Sequence, residues 1–189
     1  MENKNIVILG AARAGKSTLA QMLHEKYNYS IVSIDSFVSA LKEGFPELGI
    51  THSNTENKFE LLPKFVFSYM NKVTSEYPDE RFVLEGWHVY PKDMAKLFGK
   101  DVFEVICLGY TEISCEEFMQ RAREYEKYNS YTRQMNDEKL EKLILDHIKY
   151  SKILKRQCEE NDIRFFDTSF NRNEVLNEAM EYLISNKIS

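Results

Sequence analysis

A chain of 189 residues, 43% hydrophobic and 29% charged, is long enough to bury a sheet covered on both faces. A formal charge of −5 argues against a nucleic-acid backbone as the main ligand. Three widely spaced cysteines (Cys107, Cys115, Cys158), without a C-x-x-C pair, fit reduced thiols better than a disulfide or zinc framework. The first apolar run is too short for a signal-peptide core, and no run approaches membrane-spanning length. A cytoplasmic protein without membrane or nucleic-acid partners is the expectation.

In chain order, Ile6-Val7-Ile8-Leu9 is an apolar β-branched run that predicts a first strand, followed by a helix over about 16–27. Residues 29–34 predict a second strand ending at Asp35, then a short helix over 36–41 and a polar loop punctuated by Gly44, Pro46 and Gly49. The stretch 59–73 is helical and aromatic, with Pro63 marking its start or a kink. Arg81–Leu84 predicts a third strand ending at Glu85-Gly86, and Pro91–Phe98 a short helix with Pro at its first position. Residues 102–108 read as a fourth strand, continuous rather than alternating, as expected when both faces are covered. A helix capped by Ser114 or Thr111 runs to about Tyr128, and another, capped by Asp137, to about Glu160. Residues 163–166 form the fifth strand, ending at Asp167-Thr168-Ser169, and 174–184 a closing helix. Strands alternating with helices predict one α/β domain over 1–189, with a five-stranded parallel sheet and ligands beyond the strand carboxyl ends.

The first strand ends in Gly10-Ala11-Ala12-Arg13-Ala14-Gly15-Lys16-Ser17-Thr18, which fits G-x-x-x-x-G-K-[ST], the P-loop. The strand delivers the chain to a turn whose amides point inward as an anion nest, and the next helix adds its positive end. Lys16 would set a charge on the outer phosphates, and the Ser17 hydroxyl would ligate Mg²⁺. Two readings stand for the carboxylates at the next strand ends. Asp35 is a general base facing the terminal phosphate, or a helix cap. Glu85 arranges the outer coordination of Mg²⁺, with Gly86 allowing close packing on the phosphate loop, or is a solvent-facing strand end. Trp87 and His88 would overhang the acceptor, though a Trp is more often core and no partner for His88 is visible.

Together Gly10–Thr18, Ser33–Phe37 and Leu84–Gly86 resemble the P-loop kinases of small molecules, in particular the uridine-kinase-like branch. The resemblance implies a three-layer fold with a helical lid over about 115–137 and transfer of a phosphoryl group from ATP, with Mg²⁺, to a hydroxyl of a metabolite or nucleoside. It implies Asp35 as base and Glu85 at the metal. Arg121, Arg123 and Arg133 stand where such kinases carry lid cations, the alternative being a solvated charged face. Asp167 and Thr168 stand where the loop cradling adenine lies, the alternative being a simple turn.

Other classes fit less well. No N-K-x-D guanine motif occurs, since Asn57-Lys58 precedes Phe59 and Asn71-Lys72 precedes Val73, and no apolar strand ends in Asp-Glu. A non-catalytic nucleotide sensor and a nucleoside monophosphate kinase remain. Residues 42–77 hold Lys42, Lys58, Lys64 and Lys72 but no arginine, whose bidentate fork usually grips an acceptor phosphate, so a neutral or amine-bearing acceptor is expected. The oligomeric state stays open, a homodimer among the alternatives.

Overall fold

A computed structural model describes residues 4–52, 56–98, 102–124 and 135–185. The elements run β1 (Asn5–Gly10), α1 (Lys16–Tyr27), β2 (Ser30–Ser33), α2 (Ile34–Gly44), a 3₁₀ turn (Pro46–Leu48), α3 (Glu56–Glu76), β3 (Phe82–Gly86), α4 (Pro91–Leu97), β4 (Phe103–Gly109), α5 (Cys115–Glu124), α6 (Asp137–Glu160), β5 (Arg164–Asp167) and α7 (Arg172–Ser185). The five strands form an all-parallel sheet in the order β2-β3-β1-β4-β5. On one side α1 packs with α7; on the other α3, α4, α5 and α6 form a second helical group. That is the α/β layering expected of alternating strands and helices.

β1 is central because it is the most apolar strand. Ile6, Val7, Ile8 and Leu9 are fully buried between β3 and β4. Each such side chain contributes about 1.5–3 kcal/mol on burial. Together they outweigh the strain of the turn that follows, where Arg13 takes a φ of 65° at a cost of about 1–3 kcal/mol. The register sets the strand ends side by side: Ile8 opposite Glu85, Glu85 opposite Ser33, Gly10 opposite Leu108 and Gly109 opposite Asp167. Everything that follows these positions converges at one edge of the sheet.

Several boundaries differ from the sequence expectation. β2 stops at Ser33, and α2 begins at Ile34, so Asp35 lies inside the first helical turn and Ser33 is the capping position. The reading of Asp35 as the cap is therefore corrected. α2 also runs on to Gly44, past the expected end at Leu41, because Val38 and the apolar face around it are buried. α6 is capped by Asn136, whose side chain accepts from Lys139 N at 3.0 Å, rather than by Asp137. α3 starts at Glu56 with Pro63 inside it. For α5, Ser114 rather than Thr111 is the cap, its hydroxyl accepting from Glu117 N at 3.1 Å. Residues 125–134 of the expected lid lie outside the described residues. Among the described residues no helix is long and apolar enough to cross a membrane.

Candidate functional site

The turn after β1 is built on glycine geometry. Gly10 and Gly15 have φ of 144° and 107°, a region L side chains rarely enter. A Cβ on Gly10 would stand 1.9 Å from the Leu108 carbonyl oxygen across the sheet. We expect Gly10→Ala to forfeit the fold or the loop, read as a large loss of thermal stability and of nucleotide affinity together. The loop is tied down on one side by Ala11 N donating to Leu108 O (3.0 Å) and above by the Tyr110 hydroxyl donating to Ala12 O (2.7 Å). Ala14 N donates to Ala11 O at 3.3 Å, and Leu19 N closes the first helical bond onto Gly15 O at 2.9 Å. The amides of α1 that precede it have no intrahelical acceptor, which makes this helix start an anion site.

Lys16 is buried at the base of this turn, and its Nζ donates to Ala11 O at 2.8 Å. Burial pulls its pKa down, while the charges of Glu85 and Asp35 work to keep it protonated. Glu85, buried at the end of β3, accepts from the Ser17 hydroxyl at 3.1 Å. A hydroxyl and a carboxylate side by side are hard oxygen donors, the set that suits Mg²⁺, which takes one or two carboxylates and completes its shell with phosphates and water. Among the described residues no cluster of three or more His, Cys, Asp or Glu could hold a metal without such help. The expected role of Gly86 changes: a Cβ there would meet Ile34 Cβ at 2.5 Å, so this glycine admits α2, which carries Asp35, and not the phosphate loop.

Asp35 and Lys16 line one cleft of about 820 Å³, together with Glu85, Ser17, Arg13 and Trp87. Asp35 Oδ1 lies 3.0 Å from Nε2 of His88, a fully buried imidazole. Burial would raise the Asp35 pKa, but the His88 hydrogen bond and charge, with Lys16 and His52 behind them, bring it below the usual carboxylate value.

The expected lid cations are placed elsewhere. Arg121 is buried and donates to Thr168 O (2.7 Å) and Ser169 O (3.0 Å) while pairing with Glu117. Its fork serves as a strut for the loop after β5, and it is not among the described residues that line the cleft. Arg123 faces Asp137 at 3.3 Å on the outer side of α5. Arg133 lies outside the described residues. Asp167 accepts from the Thr111 hydroxyl (2.5 Å) and from Ser169 N (3.0 Å), and Thr168 donates through N and Oγ1 to Gly109 O (2.7 and 3.0 Å). These bonds, acting against burial, depress the Asp167 pKa and fasten the loops after β4 and β5 into one unit beside the phosphate turn.

Three cleft residues were not visible as such in the sequence. Arg172, at the start of α7, donates to the Thr18 hydroxyl at 3.0 Å and brings a cation over the phosphate turn from far along the chain. His52 belongs to a loop with no periodic signal. His147 lies in the middle of a long amphipathic helix, where it reads as one more surface residue.

The pKa of His147 is lowered to about 4, by burial first and then by the charges of Lys16 and Arg13. The folded value lies below the ordinary 6.5, so the unfolded chain binds more protons between those limits. The contribution of His147 to stability should therefore fall as pH drops from 6.5 toward 4 and level off below. Denaturant titrations across that window check this, and His147→Gln should flatten the slope.

No protein-family model matches the chain. An adenylate kinase from Flavobacterium psychrophilum is 28% identical over 144 residues, 72% of this chain and 74% of that protein. Among solved structures, a shikimate kinase from Bacteroides thetaiotaomicron aligns with a TM-score of 0.58 at 16% identity, over 96% of this chain and 98% of that one. A gluconokinase from Sinorhizobium meliloti aligns with a TM-score of 0.56 at 13% identity, over 97% and 93%. The fold is that of the P-loop kinases.

Proposed function

We propose that this chain is an ATP- and Mg²⁺-dependent phosphotransferase that moves the γ-phosphoryl group to a hydroxyl of a small neutral metabolite or nucleoside. The observation that carries this reading is the meeting of three groups in one cleft: Lys16 at the anion turn, the Ser17–Glu85 pair, and Asp35. The amides at the start of α1 and Lys16 would hold the phosphates, with Arg13 and Arg172 adding charge at the same end. Ser17 and Glu85 would hold the magnesium, which supplies charge neutralisation on the transferring group. Asp35 would orient the acceptor hydroxyl and take its proton as the new O–P bond forms and the bond to the β-phosphate oxygen breaks, leaving ADP. Asp167 would stand at the loop facing the base, while Thr168, whose N and O are bonded to Gly109 and Arg121, would brace that loop. The motif residues 33–37 and 84–86 support the uridine-kinase-like branch; the adenylate kinase relative supports a second reading, transfer to a nucleoside monophosphate.

The described lining favours the first. Its Arg and Lys residues, Arg13, Lys16 and Arg172, all belong to the phosphate turn or the helix start above it, and none comes from α2 or α3. Among the described residues, an acceptor phosphate would lack the arginine fork that normally grips it. The test is ADP release with ATP and Mg²⁺ across a panel of neutral alcohols, polyols, amino alcohols, nucleosides and nucleoside monophosphates. Release stimulated by a neutral or amine-bearing hydroxyl compound is the expected result. Stimulation by monophosphates alone would transfer the assignment to the second reading, and nucleotide binding without stimulation would leave a sensor.

A further inference from the structure

Asp35 does not stand alone at the end of β2. One turn along α2, on the same helix face, is Ser39, and between these two side chains and the loop after β3 lie two imidazoles. His88 Nε2 is 3.0 Å from Asp35 Oδ1 and 3.4 Å from His52 Nδ1; His52 Nε2 is 3.0 Å from Ser39 Oγ. The partners fix the protons. Among the described residues Asp35 Oδ1 is buried with no other hydrogen-bond partner, and an ionised carboxylate only accepts, so the proton that satisfies it across the 3.0 Å contact sits on His88 Nε2. The His52 Nδ1 that faces the same N–H must then present a lone pair, which leaves His52 with Nε2–H to donate to Ser39. The assignment runs outward from the carboxylate, and the Ser39 hydroxyl, which can donate or accept, follows it. His88 is fully buried, with its ring 4.3 Å from that of Trp87, so the N–H offered to Asp35 has a fixed direction.

We infer that His88 is a positioning residue: its Nε2–H binds Oδ1 of Asp35 and thereby aims the carboxylate, with His52, tethered by Ser39, as a second acceptor on its far side. The inference deepens the phosphotransfer reading and rests on it for the consequence at turnover. A carboxylate held through Oδ1 keeps Oδ2 to receive the acceptor proton, and its plane is fixed before the acceptor arrives. A helix-borne carboxylate with only its own rotamers to restrain it would have to be ordered at each turnover.

Two measurements test this. In acceptor-dependent ADP release, His88→Leu removes the donor and His88→Gln supplies an amide N–H in its place. Leu is expected to lower kcat on the order of 100-fold, the cost of a misaimed group, with KM for ATP unchanged, and Gln to recover most of the loss. Equal losses in both variants, or losses matched by the fraction unfolded in thermal melts, would overturn the inference. The second measurement needs no acceptor and no variant of His88: imidazole ¹H–¹⁵N NMR of the wild type and of Asp35→Asn. The His88 Nε2–H resonance should lie downfield and move upfield when the carboxylate becomes an amide; an unmoved resonance would overturn the pairing. If no acceptor stimulates ADP release, the phosphotransfer reading fails while the NMR result still decides the pairing.

Discussion

Asp35→Asn is expected to lower acceptor-dependent turnover by about 100- to 10,000-fold while ATP affinity and thermal stability stay near those of the unchanged chain. The substitution keeps the size of the side chain and an oxygen to accept from His88, and removes the ability to take a proton. Magnitudes separate this from a structural role. In the first turn of α2 a carboxylate contributes about 0.3–1 kcal/mol through the helix dipole, since Ser33, not Asp35, is at the capping position. The turnover loss corresponds to about 3–5 kcal/mol of transition-state stabilisation, several times the helix term. If turnover fell no more than folding stability did, Asp35 would be a helix-start charge and nothing more. Steady-state kinetics, nucleotide titration and a thermal melt on the same preparation decide it.

The second large effect is at Lys16. Lys16→Ala is expected to cost phosphoryl transfer about 100- to 1000-fold, the loss seen when one preorganised charge contact is removed from a developing anion. Stability should move the other way or hardly at all. The ammonium is buried, its desolvation opposes its charged form, and its own hydrogen bond is to a loop carbonyl, Ala11 O. Removing a buried charge relieves that desolvation, at the expense of leaving Glu85 and Asp35 without a nearby cation. A variant that stays folded, with transfer reduced by that factor and ATP bound more weakly, is the expected outcome, read by steady-state kinetics, calorimetric titration with ATP and melting temperature. Unchanged kinetics would remove the phosphate-binding assignment from residues 10–18.

The parts of the site that sequence exposes are those carried by local pattern. A β-branched run, two glycines five apart, and a Lys-Ser at the helix start determine one another through backbone geometry, so Gly10–Thr18 could be located without a structure. Strands alternating with helices gave the parallel sheet, since each crossover needs a helix to bring the chain back to the same end. What stayed hidden depends on contacts between distant segments. His88 pairs with Asp35 and His52, both of them far from it along the chain. Arg172 is 154 positions from the threonine it bonds. Arg121 was expected to face phosphates because arginines near the end of that helix resemble lid cations; its burial against two carbonyls of the loop after β5 could not be seen from neighbours that are mostly acidic. Caps shifted by one or two residues at α2 and α6 because Ser, Asn and Asp all compete for that position, and only the backbone turn chooses between them.

One structure tests the central claim most directly: a crystal of the chain with a non-hydrolysable ATP analogue and Mg²⁺. The account requires the terminal phosphate in the turn of residues 10–18, Lys16 turned onto it, the metal on Ser17 with Glu85 beside it, and the Asp35 carboxylate facing that phosphate from the acceptor side. A nucleotide bound elsewhere, or bound there with Asp35 and Glu85 directed away from its terminal phosphate, would contradict it.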